Sequence, residues 1–293
     1  MGTLERYPFP VFFTLGFIFG LIYAIILLRS TMALLGERLP MEQYTTRERA
    51  IQNEHVQATT RNVVIDWIRH AEATRLGALN APVKEDAIGL IYEKGVSIGD
   101  ELRQEAANGK VHVYIVTSPI LRTVQTGNIL FKSLEEYVES HNAQDNITLY
   151  PPTPDDSIGI LPSLTPMKEH GLASSIPSAL AMWRHMDQAA CNAYSQLYGE
   201  KIYSPHDVVQ RANKVLGDIS RLVTSHLPSD VVSIRGLFIT HDSVSAAQAD
   251  EAGFTDKTGI NHLETYRTKL LPNGLVVAQF RGEEREYVLP STV

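Results

Sequence analysis

The chain has 293 residues, 44% of them hydrophobic and 20% charged, a balance that can bury a full core and does not suit a disordered chain. Its formal charge of -7, without any Lys/Arg block, argues against a nucleic-acid partner, because a phosphate backbone is gripped by concentrated basic surface. The single cysteine, Cys191, excludes an internal disulfide framework and a cysteine zinc site, and suits a reducing compartment.

Residues 1–10 form a short flank. The run from Val11 to Leu28 is uncharged. As a helix it would be roughly 27 Å long at about 1.5 Å per residue, close to the thickness of a bilayer core. It is read as a transmembrane helix, making this a single-pass membrane protein. Gly16 and Gly20 are spaced for close packing against a partner helix. A cleaved signal peptide is the alternative, although the apolar run is longer than a usual signal core and its basic start is thin. Arg29 and Arg38 follow the span and Arg6 precedes it, a slight bias for the C-terminal part lying on the positive-inside face. Residues 29–60 are polar and read as a linker or stalk. Residues 61–293 read as one soluble domain.

That domain alternates apolar strands with amphipathic segments. Val63 to Ile68 predicts a strand, Gly99 to Ala107 a helix, Val111 to Val116 a strand, and the residues after Pro119 a helix. Ser178 to Gly199 and His206 to His226 predict two helices, Gly236 to Thr240 a strand, and Val244 to Ala252 a helix of small residues. Glu264 to Leu271 and Leu275 to Phe280 flank Pro272-Asn273-Gly274 and predict an antiparallel hairpin at a sheet edge. Such alternation predicts an α/β fold with a mostly parallel central sheet.

In open parallel sheets, side chains at the carboxyl ends of strands gather in one crevice. Three strand ends here carry unusual residues: Arg69-His70, then Ser118-Pro119 followed by Arg122, then His241-Asp242. Each is unremarkable alone. Together, two arginines and two histidines facing one cavity are costly unless they hold an anion, and guanidinium groups match phosphate oxygens bidentately. Ser118 as N-cap and Pro119 as first helical residue would put Arg122 in the first helical turn, where the helix N-terminus also favours an anion.

These segments resemble the histidine phosphatase, or phosphoglycerate mutase-like, superfamily. Ile65 to Glu72 resembles its strand ending in Arg-His-Gly-Glu, Val116 to Thr126 its Ser-Pro-x-x-Arg-x-x-x-Thr segment, and Phe238 to His241 its second histidine. Tyr92 to Gly95 resembles its Thr-x-x-Gly helix start, with Tyr92 in place of a small polar residue, and Ala71 stands where glycine is common. The resemblance covers Val63 to Val288 and implies a three-layer sandwich. It implies that His70 takes the phosphoryl group while Arg69, Arg122 and His241 hold its oxygens, with no metal and no cofactor. Two carboxylates compete as proton donor to the leaving oxygen, a role that favours a buried acid. Glu169 is preferred because the Arg-His-Ala-Glu and Ser-Pro segments look like the mutase branch; Asp242 follows the second histidine, as in the acid phosphatase branch. Asn142 to Pro177 lies where members carry substrate-selecting insertions.

The implied activity is metal-independent hydrolysis of a phosphoprotein or small phosphoester beside a membrane. A mutase shares the phosphohistidine step and stays open. The rival from another class is a catalytically weak or inactive subunit of a membrane complex, favoured by Ala71 and Tyr92. A dinucleotide-binding reading fails, since no glycine-rich turn follows the first strand. Asp66, a carboxylate inside an apolar strand, has no explanation in the sequence.

Overall fold

The computed structural model describes residues 61–74, 81–159, 167, 169–199, 203–226, 228, 230–256, 259–271 and 274–289. The expectations for the flank, the span at residues 11–28 and the linker lie outside these. Among the described residues no helix is long and apolar enough to cross a membrane.

Seven strands form one mixed sheet. In chain order they are β1 (Asn62–Arg69), β2 (Lys110–Thr117), β3 (Ile147–Pro154), β4 (Val231–Thr240), β5 (Thr265–Leu270), β6 (Leu275–Phe280) and β7 (Glu283–Val288). Their spatial order is β3-β2-β4-β1-β5-β6-β7. The first four in space run parallel, and the rest continue as an antiparallel meander. The expected hairpin is the β5–β6 pair, turned through Gly274 at φ +79°, a conformation that glycine enters without steric cost.

Helices α1 (Ala87–Ala106) and α2 (Leu121–Ser140) pack on one face through Ile91, Ile98, Leu102, Leu130 and Leu134, meeting Ile68, Val111, Val113, Ile115, Leu237 and Ile239 from the sheet. The other face carries Ile65, Trp67, Ile234 and Phe238. Against it lie α3 (Ile176–Trp183), α4 (Gln188–Tyr198), α5 (Pro205–His226) and α6 (Asp242–Glu251). The period-two alternation of β1 and β4 divides their side chains between the two cores, giving three layers.

Several boundaries differ from the sequence reading. Helix α1 starts at Ala87, so Tyr92 and Gly95 sit inside it and not at its start. There Gly95 lets α2 approach, since a Cβ would stand 2.3 Å from Ser133 Oγ. The segment from Ser178 to Gly199 is two helices, because Asp187 caps a new one by accepting from Ala190 N–H at 2.7 Å. Two strands were not foreseen: β3, which contains Pro151, Pro152 and Pro154, and β7, which is charged. Both are edge strands, where proline and charge are tolerated.

Asp66 is explained by partners on distant elements. Its carboxylate, 1% exposed, accepts from Arg235 Nε at 2.8 Å and Arg267 Nε at 2.6 Å. Arg235 also reaches Glu101 at 2.5 Å and Glu105 at 2.6 Å. Burial pushes the Asp66 carboxyl up, but the two guanidinium groups outweigh it and hold it below the usual range. Removing one partner of such a buried network leaves an uncompensated charge. Asp66→Asn is expected to lower unfolding free energy in urea by roughly 3–5 kcal/mol. In the wild type this contribution is present above the unfolded carboxyl value and is lost as pH falls through the lower folded one.

Candidate active site

β4 lies between β1 and β2, and the ladder continues one residue past each strand end. His70 N–H donates to the Thr240 carbonyl at 2.9 Å, and Ser118 N–H to the Ile239 carbonyl at 3.0 Å. Arg69-His70, Thr117-Ser118 and Thr240-His241 therefore leave the sheet side by side, as expected for strand ends that face one crevice.

The imidazoles of His70 and His241 meet edge to face with centroids 5.1 Å apart. His70 Nδ1 donates to the Ala71 carbonyl at 2.6 Å, which leaves Nε2 as the basic nitrogen. Arg122 Nε–H donates to that Nε2 at 2.9 Å, and Arg122 Nη2 lies 3.5 Å from His241 Nδ1. On its other side His241 Nε2 meets Ser118 Oγ at 3.1 Å. Arg122 thus joins both histidines. Arg69 donates through Nη1 to the Ile260 carbonyl and stands 3.7 Å from Asp242, while its buried Nε–H has no acceptor among the described residues.

The start of α2 differs from the sequence expectation. Helix α2 begins at Leu121 behind Ile120, whose extended ψ of 138° keeps Ser118 and Pro119 outside the helix, and no side chain caps it. Ser118 Oγ is engaged with His241, and the Ser118 carbonyl accepts from Thr123 Oγ1 at 2.6 Å. Arg122 is still in the first turn. Thr126 fixes the loop after His70, accepting from Ala71 N–H at 3.1 Å and donating to the Arg122 carbonyl at 2.7 Å. Gly127 permits this closeness, since a Cβ there would stand 2.4 Å from Thr117 Cγ2. Ala71 is not among the residues with positive φ, so it needs no glycine.

The structure is a likeness of known ones at the level of the whole domain. It aligns with a phosphoglycerate mutase from Bacillus anthracis at TM-score 0.52 and 14% identity, over 78% of this chain and 96% of that one. The fold is shared with a phosphoglycerate mutase. Looser matches are a mycobacterial glucosyl-3-phosphoglycerate phosphatase solved with VO3 (TM-score 0.39, 16% identity, 71% of this chain and 92% of that one) and the protein histidine phosphatase SixA with tungstate (TM-score 0.35, 12% identity, 76% and 96%). No protein-family model matches the chain, and no curated protein matches it by sequence.

Within this mutase-like fold the two candidate acids are placed unequally. Asp242 opens α6 beside His241, with its side chain 29% exposed and facing Arg69. Glu169 is exposed and has no hydrogen bond or ion pair with the histidine–arginine cluster among the described residues. Neither is buried as the donor role favours. Sequence reading missed His262, whose ring centroid stands 5.8 Å from that of His70. Only the order of the chain hid it: it follows no strand, and a lone histidine in a turn carries no signal.

Burial is the largest cause holding His70 down to about 3, with Arg122 and Arg69 adding to it; His241 is likewise pushed well below its ordinary value, by burial first and then by its cationic neighbours. Both are neutral at pH 7, and the unfolded chain takes up protons there first as pH drops below about 6.5. Folding stability is expected to fall by up to about 1.4 kcal/mol per pH unit for each of the two histidines as pH drops below about 6.5. Urea unfolding measured from pH 7.5 down to 5 checks this, and His70→Gln should reduce the slope by one histidine's share.

Proposed function

We propose that the domain is a phosphoryl-transfer enzyme that hydrolyses phosphomonoesters through a phosphohistidine at His70. The observation that carries this reading is a basic nitrogen flanked by two guanidinium groups. Arg122 reaches both His70 and His241, Arg69 precedes His70 and faces Asp242, and the buried Arg69 Nε–H meets no acceptor among the described residues. A tetrahedral dianion supplies that acceptor and matches the charge of the guanidinium groups.

The chemistry follows from the atoms present. His70 Nε2 attacks phosphorus while its Nδ1–H stays on the Ala71 carbonyl, which steadies the ring as positive charge develops. Arg69, Arg122 and His241 hold the non-bridging oxygens. The bond from phosphorus to the leaving oxygen breaks, and that oxygen takes a proton from the Asp242 carboxyl, which has taken it up from solvent as the phosphoryl group draws Arg69 to itself. Water then gives its proton back to Asp242 and attacks phosphorus, releasing phosphate and restoring His70. Asp242 is preferred over Glu169 here because it faces Arg69 at the rim of the same cluster. The substrate is read as a phosphoprotein or small phosphoester, and the apolar run from Val11 to Leu28 supports a membrane tether that would select it by location.

The reading is tested with the full chain in EDTA on an aryl phosphate. Turnover is expected in the wild type, with His70→Ala reduced to background and an acid-labile, base-stable phosphoenzyme trapped only when His70 is present. Asp242→Asn is expected to lose about 10²-fold or more in kcat with an alkyl phosphate, against little change for Glu169→Gln. A well-folded wild type without turnover from pH 5 to 8 would favour the inactive membrane-complex subunit, and phosphoglycerate isomerisation would favour a mutase.

A further inference from the structure

The turn that follows α6 is built with more constraint than a connection requires. Asn261 to Glu264 forms a β-turn closed by Glu264 N–H to the Asn261 carbonyl at 3.1 Å, and the Glu264 carboxylate accepts from Asn261 N–H at 2.7 Å. Its third residue, Leu263, has φ +60°, a left-handed conformation that such turns normally give to Gly or Asn. A branched residue stays there only when its surroundings over-determine it.

Those surroundings are the backbone of Arg69. Leu263 N–H donates to the Arg69 carbonyl at 3.0 Å, Arg69 N–H donates to the Glu264 carbonyl at 3.1 Å, and the Arg69 guanidinium reaches back to the Ile260 carbonyl. From behind, Arg281 grips Glu264 at 2.6 Å and 2.8 Å, Asp256 at 2.6 Å and the Gly259 carbonyl at 2.8 Å. The turn is therefore fixed to the residue next to His70. The side chain it presents is His262.

His262 is half-buried, tilted 50° to the His70 ring, and neither of its nitrogens is hydrogen-bonded to a described residue. The charged groups that face it are Arg69 at the end of β1, Glu72 and Lys84, which pair with each other, and Asp242 on α6, with His70 beneath. Burial, then Arg69, hold it below its ordinary value against Glu72 and Asp242, so at neutral pH it is an imidazole with one N–H to donate. Depth separates the three histidines: His241 is 1% exposed and His70 7%, whereas His262 reaches solvent at the rim. The leaving group of a phosphoester must also face solvent, because it departs before phosphate does.

We propose that His262 contacts the substrate on the leaving-group side of the phosphoryl group, donating a hydrogen bond to the bridging oxygen as the bond to phosphorus stretches. This rests on the phosphohistidine reading above and adds to it a residue that answers to the leaving group. Asp242 delivers the proton, and His262 stabilises the negative charge that builds on the same oxygen before transfer is complete. The contact is worth more when the leaving group is a poorer one, because more charge then remains on the oxygen in the transition state.

The test is kcat/KM for the full-chain wild type, His262→Ala and His262→Gln over a series of phosphomonoesters whose leaving groups run from p-nitrophenol to simple alcohols. Loss on His262→Ala is expected to grow from about threefold for the nitrophenyl ester to about 30-fold for the alkyl esters, with His262→Gln recovering most of it through its amide N–H. A loss of one constant factor across the series, or a loss shared equally by the Gln variant, would mean that the turn acts only through Arg69 and would overturn the proposal. Thermal unfolding of the variants separates misfolding from either result. A wild type inactive on every ester removes the phosphohistidine reading itself, and that outcome is distinct from an active wild type indifferent to His262.

Discussion

Because β4 lies between β1 and β2 and all three run the same way, three segments far apart in sequence leave the sheet next to one another. The parallel ladder fixes their offsets, Arg69 beside Thr240 and Thr117 beside Ile239. Two further hydrogen bonds, from His70 N–H and Ser118 N–H, carry that register into the residues that do the work. The site is precise because it is anchored on the sheet itself, with α2 and the turn at residues 261–264 brought to it.

Buried charge is handled in two opposite ways in this molecule. Beneath α1, Asp66, Arg235, Arg267, Glu101 and Glu105 satisfy one another almost completely, so that network is closed and structural. At the strand ends Arg122 reaches two neutral histidines, and the buried Arg69 Nε–H has no acceptor among the described residues. Low dielectric makes such an opening expensive. The contrast lies in Arg69: Arg235 is engaged by three carboxylates, whereas the buried Arg69 Nε–H meets none among the described residues.

How much was legible in the sequence followed from how local each signal is. The strands ending in Arg69, Thr117 and Thr240 are short apolar runs and could be read directly, and with them the meeting of His70, Arg122 and His241. The Ser118 cap could not, because its hydroxyl is claimed by His241, a partner 123 residues away. Asp66 looked like a blemish for the same reason: Arg235 and Arg267 are 169 and 201 residues distant in the chain. β3 was obscured by prolines that only an edge strand accommodates, and His262 by lying in a turn that Arg69 and Arg281 hold in place.

Arg122 Nε–H sits on the lone pair of His70 Nε2, which on the phosphohistidine reading proposed above is the lone pair that attacks phosphorus. While that bond stands, the nucleophile is occupied, and its low proton affinity keeps it neutral without freeing it. An arriving dianion offers Arg122 a better, charged acceptor than a neutral imidazole. On that reading Arg122 would transfer its hydrogen bonds to the phosphoryl oxygens and release His70 Nε2 when a phosphorus atom is in reach. One arginine, shared between two histidines, would thereby tie activation of the proposed nucleophile to occupation of the site.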